Sequence, residues 1–386
     1  MLPPPEAPPR EAAVPRTPLA EIGRVFLKLG LIGFGGPLAH IALIENEAVE
    51  KRPWLQKPDF LQGLALSQAL PGPASTQLVI YIGFRLRRYL GGVVSGCAFI
   101  LPAFVMMLIL TLLYFRFGTI PVVQHLFNGV TPVVLAVILS SGYRLGKSVA
   151  TDKTLLATVA ASAALVALLS FNIILLFLLA GIFGILAYGP GRKHRPVSGM
   201  CLAVAPLGVL LQLAWFFLKV GSLIYGGGLV IVPFIEKEVV NTLGWMTPQE
   251  FLDGLALGQM TPGPVVITAT FIGYKVASWW GALIATVSIF FPSFVFIFIG
   301  AAYLEKIEHS PYVQAFLKPV NAAAIGAILG SFFTLSAKSL LQPFPLGLFS
   351  IGLFAVALVA LHRYKVSFIK VALAGALLGW LGSVWL

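Results

Sequence analysis

Two short stretches carry residues whose types and spacing suit anion chemistry. Residues 67–75 read SQALPGPAS and residues 258–266 read GQMTPGPVV. Gln68 therefore precedes Pro71, Gly72 and Pro73 by the same interval at which Gln259 precedes Pro262, Gly263 and Pro264. Proline removes a backbone donor and clashes with the preceding helical turn, and glycine loosens the chain. A helix that restarts after such a break opens with unpaired N–H groups and the positive end of its dipole. Such an end is suited to an anion. Ser75, Thr76 and Gln77 follow the first break and add hydroxyl and amide groups, and Thr268 and Thr270 lie slightly beyond the second. Glycine-rich runs form a second pair of candidate breaks: Gly33-Phe34-Gly35-Gly36-Pro37 and Gly226-Gly227-Gly228. Four broken segments meeting at a pseudo-two-fold axis would make a polar, anion-attracting cavity.

The surroundings of these breaks are apolar. The 386-residue chain is 58% hydrophobic and 10% charged, against roughly 25% charged residues in soluble domains. Apolar runs of about 18 residues or more recur, the pattern of membrane-spanning helices. The fold class is an all-α polytopic membrane protein, and the alternation of a membrane β-barrel is absent. In lipid, broken backbone is tolerated only where protein or a water-filled cavity surrounds it. The formal net charge of +12 fits cytoplasmic loops rich in Lys and Arg, and part of it could face an anion. No carboxylate occurs between Phe60 and Thr151 or between Lys153 and Ile235, whereas a cation pathway is expected to carry acidic residues within its spans.

The chain contains an internal repeat. Residues 26–73 align with 217–264 without a gap, and nearly half of the paired positions are identical. Lys28 meets Lys219, Gly35 and Gly36 meet Gly226 and Gly227, Glu45 and Glu47 meet Glu236 and Glu238, and Trp54 meets Trp245. After a one-residue slip the match continues through Arg85/Lys275, Gly91/Gly281 and Pro102/Pro292. The expected organisation is a disordered Pro-rich tail over 1–20, without the apolar stretch of a signal peptide, then a first repeat over 21–188. A basic cytoplasmic linker over 189–198 leads to a second repeat over 199–386. Internal repeats with a site at their interface are a hallmark of secondary transporters. Lys51, Arg52, Lys57, Arg85, Arg87 and Arg88 flank the first Pro-Gly-Pro, whereas the matching positions of half two are nearly neutral. The positive-inside rule then puts the two flanks on opposite sides, so the repeats are inverted.

If 51–57 and 85–88 share one side, the segment between them enters the membrane and returns. Its arms, 59–70 and 74–86, are each roughly 18–20 Å long as helices, too short to cross but long enough to reach the middle. Each Pro-Gly-Pro is then the tip of a re-entrant helical hairpin, the alternative being one kinked span of about 28 residues. With these hairpins the chain holds about 10–12 membrane segments.

Lys28 and Lys219 lie in apolar runs, where a Lys is a functional candidate unless it snorkels to the headgroups. Arg85 and Lys275 close the second arms and suit the interface. Glu45, Glu47, Glu236 and Glu238 are candidates for proton coupling or gating, or are solvated helix-end charges. Nothing points to an enzyme: Gly142 to Gly146-Lys147-Ser148 is one residue short of a phosphate-binding loop, and the five histidines are scattered without a nucleophile. Cys97 and Cys201 belong to no metal-binding pattern. No metal, cofactor or nucleic-acid partner is expected.

These motifs resemble the chromate ion transporter family, in its two-domain, long-chain form. The resemblance rests on Gly33 to Pro37, on Gln68 to Pro73, and on their second copies at Tyr225 to Gly228 and Gln259 to Pro264, with Gly228 in place of the proline. It covers the chain from about Glu21 onward. It implies a multi-pass protein of the bacterial inner (plasma) membrane that exports chromate chemiosmotically, by a proton or the membrane potential, and confers resistance. Sulfate, a tetrahedral dianion of similar shape, is the expected competitor. Alternatives are a sulfate or other oxyanion carrier and a passive anion channel, and a homodimer stays open. On this reading the substrate-binding residues are Lys28, Gly35, Gly36, Gln68, Pro71, Gly72, Pro73, Ser75 and Thr76, with Lys219, Gly226, Gly227, Gln259, Pro262, Gly263 and Pro264 from half two.

Overall fold

The computed structural model describes residues 17–34, 37–118, 120–147, 149, 152–169, 171–189, 208–224, 228–301, 310–340 and 346–385. Gly35, Gly36, Gly226, Gly227, most of the tail and nearly all of the linker lie outside them. The described residues form fourteen α-helices and no strand. Among the described residues, four segments are long and apolar enough to cross a membrane: Ala74–Phe117, Pro121–Gly146, Val265–Gly300 and Pro311–Ser339.

Half one opens with two helical hairpins. Helix α1 (Leu19–Ile32) runs to the break at Gly33, and α2 (Pro37–Glu45) returns and continues as a π-helical turn over Asn46–Lys51. Their antiparallel register is fixed by Lys28 against Glu47 at 3.7 Å, Arg52 against Glu21 at 3.8 Å, and Phe26 against Trp54 with ring centroids 6.1 Å apart. Helix α3 (Lys57–Ala69) then descends to Pro71-Gly72-Pro73, and α4 (Ala74–Phe117) climbs back. Arg85 pairs with Asp59 at 3.3 Å, and the Tyr81 ring fills the space where a Cβ on Gly63 would lie. Both contacts centre the hairpin on Gly72.

The first limb of α4 is short because the chain reverses inside it. Arg87 and Arg88 leave helical geometry, with Arg88 at φ +50°. The limbs on either side pack back to back: a Cβ on Gly83 would collide with the Gly91 carbonyl, and Ser95 Oγ donates to the Val79 carbonyl at 2.9 Å. Small residues permit this approach, as they do between membrane helices generally. The second limb of α4 is about 43 Å long over its 29 residues, enough to cross the ~30 Å hydrocarbon core.

Half two repeats the pattern. Helix α8 (Val209–Leu223) ends before Ile224, and α9 (Ile231–Phe234) returns through a π-helical stretch over Ile235–Thr242, with Lys219 4.0 Å from Glu238. Helix α10 (Pro248–Met260) opens on a Thr247–Glu250 capping box and leads to the second Pro-Gly-Pro. Helix α11 (Thr268–Gly300) reverses at Ala277 and Ser278, with Ser278 at φ +53°. Lys275 and Glu250 close this hairpin at 2.7 Å, as Arg85 and Asp59 close the first. Half one is completed by α5 (Pro121–Gly146), α6 (Lys153–Leu169) and α7 (Ile173–Tyr188), and half two by α12 (Pro311–Ser339), α13 (Leu346–His362) and α14 (Phe368–Trp385). These helices exchange partners: α5 packs on α13 and α14, and α12 on α6 and α7.

The contacts establish the inversion. The second limb of α4 starts beside its own hairpin base at Gly83/Gly91. Midway it passes the other tip, where a Cβ on Gly263 would lie 3.0 Å from Ala103. It ends beside the other base, where Phe115 stacks on Phe271 and Tyr274. The two Pro-Gly-Pro hairpins thus enter from opposite ends of one crossing helix. With Cys97 and Cys201 replaced by Ser, Arg87→Cys is expected to react with a membrane-impermeant thiol reagent only from the cytoplasmic face and Ala277→Cys only from the outer face. Labelling of both from one face would exclude the inverted arrangement.

Candidate functional site

All four breaks converge at the middle of the molecule. The Gly72 N–H donates to the Ile224 carbonyl at 2.7 Å, and the Gly263 N–H donates to the Gly33 carbonyl at 2.9 Å. Gly72 matches Gly263 and Gly33 matches Ile224 in the repeat, so these bonds are two-fold mates. Each Pro-Gly-Pro tip is tied to the glycine-rich break of the opposite half. A buried backbone group left unpaired costs free energy comparable to a lost hydrogen bond, and here each broken end satisfies the other.

The two tips differ in chemistry. At the first, α4 starts at Ala74 with no side-chain cap, which leaves its first-turn N–H groups toward the centre. Thr76, Gln77 and Ser293 are fully buried. Thr76 Oγ1, Gln77 Oε1 and Ser293 Oγ have no hydrogen-bond partner among the described residues, while Gln77 Nε2 donates to the Pro71 carbonyl at 2.5 Å. Ser293 reaches this tip from α11, since a Cβ on Gly72 would lie 2.6 Å from its hydroxyl. His40 Nε2–H donates to the Gly33 carbonyl at 2.8 Å, which leaves Nδ1 facing Ser75 Oγ at 3.3 Å. In the neutral ring with this tautomer, Nδ1 accepts from the serine hydroxyl. A buried polar group without a partner calls for an explanation, and three of them lie around one helix start.

The second tip is drier. The counterparts of Ser75, Thr76 and Gln77 are Val265, Val266 and Ile267, the counterpart of Ser293 is Ala103, and that of His40 is Ile231. A 3₁₀ turn over Val265–Ile267 tightens the helix start. Thr268 Oγ1 donates to the Val265 carbonyl at 2.9 Å, and Thr270 and Thr286 pair through their hydroxyls at 2.7 Å. These threonines are thereby committed within the protein.

The remaining candidates lie along the hairpin arms. Gln68 is exposed on α3 and Gln259 half-buried on α10. Lys28 and Lys219 stand in two-fold related ion pairs with Glu47 and Glu238. Glu47 is buried and also bound by Lys51, at 3.1 Å, and by Arg52, whose guanidinium lies 5.8 Å from the Trp54 ring centroid. Glu45 pairs with Lys57. Glu236 is buried and accepts a hydrogen bond from Thr334 Oγ1. It borders a cavity of about 190 Å³ with Lys237, Asn241, Ser331 and Lys338, on the α12 side of α9 and apart from the tips in sequence. The base of the first hairpins is a cationic rim, a field that raises the local concentration of anions.

His40 and Ser293 went unread in the sequence as site residues. Their signal is the mismatch between repeats: each is polar where its counterpart is apolar.

Comparison with known proteins agrees with this architecture. The chromate transporter family model matches the chain twice, over residues 20–185 and 211–380. The chain belongs to the chromate transporter family. It is 37% identical over 341 residues to the chromate transport protein of Cupriavidus metallidurans, covering 85% of each chain. It is 35% identical to a probable chromate transport protein of Synechococcus elongatus, covering 86% of this chain and 89% of that one. It is 33% identical to the chromate transport protein of Pseudomonas aeruginosa, covering 96% and 94%. No solved structure matches the chain. Family membership and the apolar helices make it a multi-pass membrane protein and a transporter.

The tips make unequal demands on their glycines. Gly72, at φ +134°, has Gln77 and Ser293 where a Cβ would go, whereas Gly263, at φ +103°, has only Ala103. A strained left-handed residue costs about 1–3 kcal/mol, so both substitutions by Ala should destabilise. Gly72→Ala is expected to lower the melting temperature in detergent further than Gly263→Ala. Equal shifts would contradict the tighter packing of the first tip.

Proposed function

We propose that this protein exports chromate from the cytoplasm as a secondary active transporter, and that the dianion binds at the first Pro-Gly-Pro tip. The observation that carries the reading is the cluster of buried, unpartnered polar groups at an uncapped helix start. Thr76 and Ser293 hydroxyls and the first N–H groups of α4 are donors without acceptors, and an oxyanion supplies acceptors in every direction. The Ser75 hydroxyl, held by His40, stands beside them. The second tip, with Pro262, Gly263 and Pro264, supplies the opposing wall and the hinge rather than an equal set of ligands. Gly35, Gly36, Gly226 and Gly227 are included as substrate-binding residues on their place in the sequence motifs, and Gln68 and Gln259 mark the approaches to the tips on the two sides.

The ion pairs serve as gates on this reading. Lys28–Glu47 leads from the cationic cytoplasmic rim toward the first tip, and Lys219–Glu238 lies on the way out. A passing dianion competes with the glutamate for the lysine, so each pair opens to it and closes behind it. Glu45 is held by Lys57, while Glu236 borders its cavity without a salt bridge among the described residues and is assigned to gating there. The organisation that serves this cycle is two repeats, 21–188 and 199–386, joined on the cytoplasmic side by 189–198, in a bacterial inner membrane. Sulfate competes because the donors read a tetrahedral oxyanion rather than its central atom. Resistance to chromate follows from export.

The reading is tested by chromate flux in everted membrane vesicles under an imposed pH gradient and potential. Energised accumulation blocked by sulfate is expected. Flux that only follows the chromate gradient would make the protein a channel. Lys28→Ala, Gln68→Ala and Thr76→Val are each expected to abolish resistance at unchanged protein abundance, and Ser293→Ala to weaken sulfate competition and chromate uptake together. Wild-type protection by the first three variants would overturn the site.

A further inference from the structure

Half two holds a buried carboxylate that the site above does not use. Asp253 lies on α10 one turn inside the Lys275–Glu250 pair that closes its hairpin, and it is only 4% exposed. Oδ2 accepts from the Tyr114 hydroxyl of α4 at 2.8 Å, and Oδ1 accepts from Gln249 Nε2 at 2.9 Å. The same Gln249 nitrogen lies 2.7 Å from Thr131 Oγ1 of α5. Asp253 therefore fastens the second Pro-Gly-Pro hairpin to two helices at once, one from the crossing pair and one from the outer bundle.

Its direct partners are neutral. The titratable and charged groups around it are Tyr114 from α4, Glu250 on its own helix and, beyond Glu250, Lys275 from α11. Lys275 is committed to Glu250 and lies 5.4 Å from the Phe115 ring centroid. A buried charge without an opposite charge carries a desolvation cost that hydrogen bonds from neutral groups only partly offset. Binding a proton removes that charge: Oδ1 goes on accepting from Gln249, and the new O–H on Oδ2 donates to the Tyr114 oxygen, whose own hydroxyl hydrogen turns away. The counterpart of Asp253 in half one is Gln62, which is exposed and cannot ionise. The polar anion groups are confined to the first tip and this acid to the second hairpin.

We infer that Asp253 is a proton-binding site that couples proton entry from the outer side to movement of the second hairpin. Protonated, it stays docked against Tyr114 and Gln249. Ionised, it draws water and releases the hairpin from α4 and α5. One proton binds and one leaves per cycle, and only the O–H bond changes. The inference rests on the transport reading above.

The test uses the full-length protein in liposomes with radiolabelled chromate. Gradient-free chromate exchange reports transport itself, and acceleration of uptake by an acid lumen reports coupling. Protonation of chromate affects every variant alike, so the comparison between variants isolates the protein. Asp253→Asn is expected to retain exchange and lose the acceleration. Tyr114→Phe, which removes one donor from the carboxylate, is expected to retain exchange and shift the pH of half-maximal acceleration. Acceleration that survives Asp253→Asn overturns the proposal, as does wild-type exchange without any acceleration, which leaves the transport reading standing. Should Asp253→Asn fail to fold, an unmoved pH midpoint in Tyr114→Phe overturns it. Absence of exchange in the wild type overturns the transport reading and this inference with it.

Discussion

Four interruptions of helical backbone inside an apolar slab must have their hydrogen bonds met, and the rest of the architecture follows from how this is done. Lipid supplies no partners. The Gly72 N–H reaches Ile224 and the Gly263 N–H reaches Gly33, so each half completes the other's broken segment. Neither half can satisfy its own breaks in this way. The exchange of partners by α5 and α12 across the halves extends the same dependence to the outer helices. Pairing the breaks also brings two helix starts to one point, and the dipoles that result are a consequence of the repair.

The re-entrant hairpins were legible in the sequence because length and charge constrain them together. Arms too short to cross, bounded by basic clusters in one copy and neutral residues in the other, leave little choice of path. The turn at Arg87 and Arg88 was legible only as the end of an arm. Its tightness depends on Gly83 meeting Gly91 across the turn, a contact between residues that lie on different helical limbs and have no common pattern. The ion pairs of Lys28 and Lys219 were half legible: the repeat matched the lysines and the glutamates separately, and only the fold of α1 against α2 showed that each lysine belongs to a glutamate.

The site was less legible than the fold for a related reason. Identity between the copies drew attention to the shared motifs, which are the structural devices both halves need: a tip, a break, a hinge. The proposed chemistry lies instead where the copies disagree. His40 against Ile231, Ser75 to Gln77 against Val265 to Ile267, and Ser293 against Ala103 set polar residues where the other copy is apolar, and Asp253 against Gln62 sets an acid where the other copy has a neutral amide. Duplication supplies symmetry at no cost in design, and a symmetric site would treat both sides of the membrane alike.

On the export reading, transport gains a direction from that asymmetry. If both tips bound the dianion equally, two anions would compete for one centre with their charges close together in a medium that screens poorly. On the proposed reading, donors at one tip and an apolar second tip keep a single anion bound. The same reading leaves the second hairpin able to move against α4 and α5 without carrying substrate. The two hairpins keep the same backbone, down to the matched salt bridges at their bases. Their side chains diverge at the tips and along α10, which on the proposed reading gives ion binding to one hairpin and the response to the driving gradient to the other.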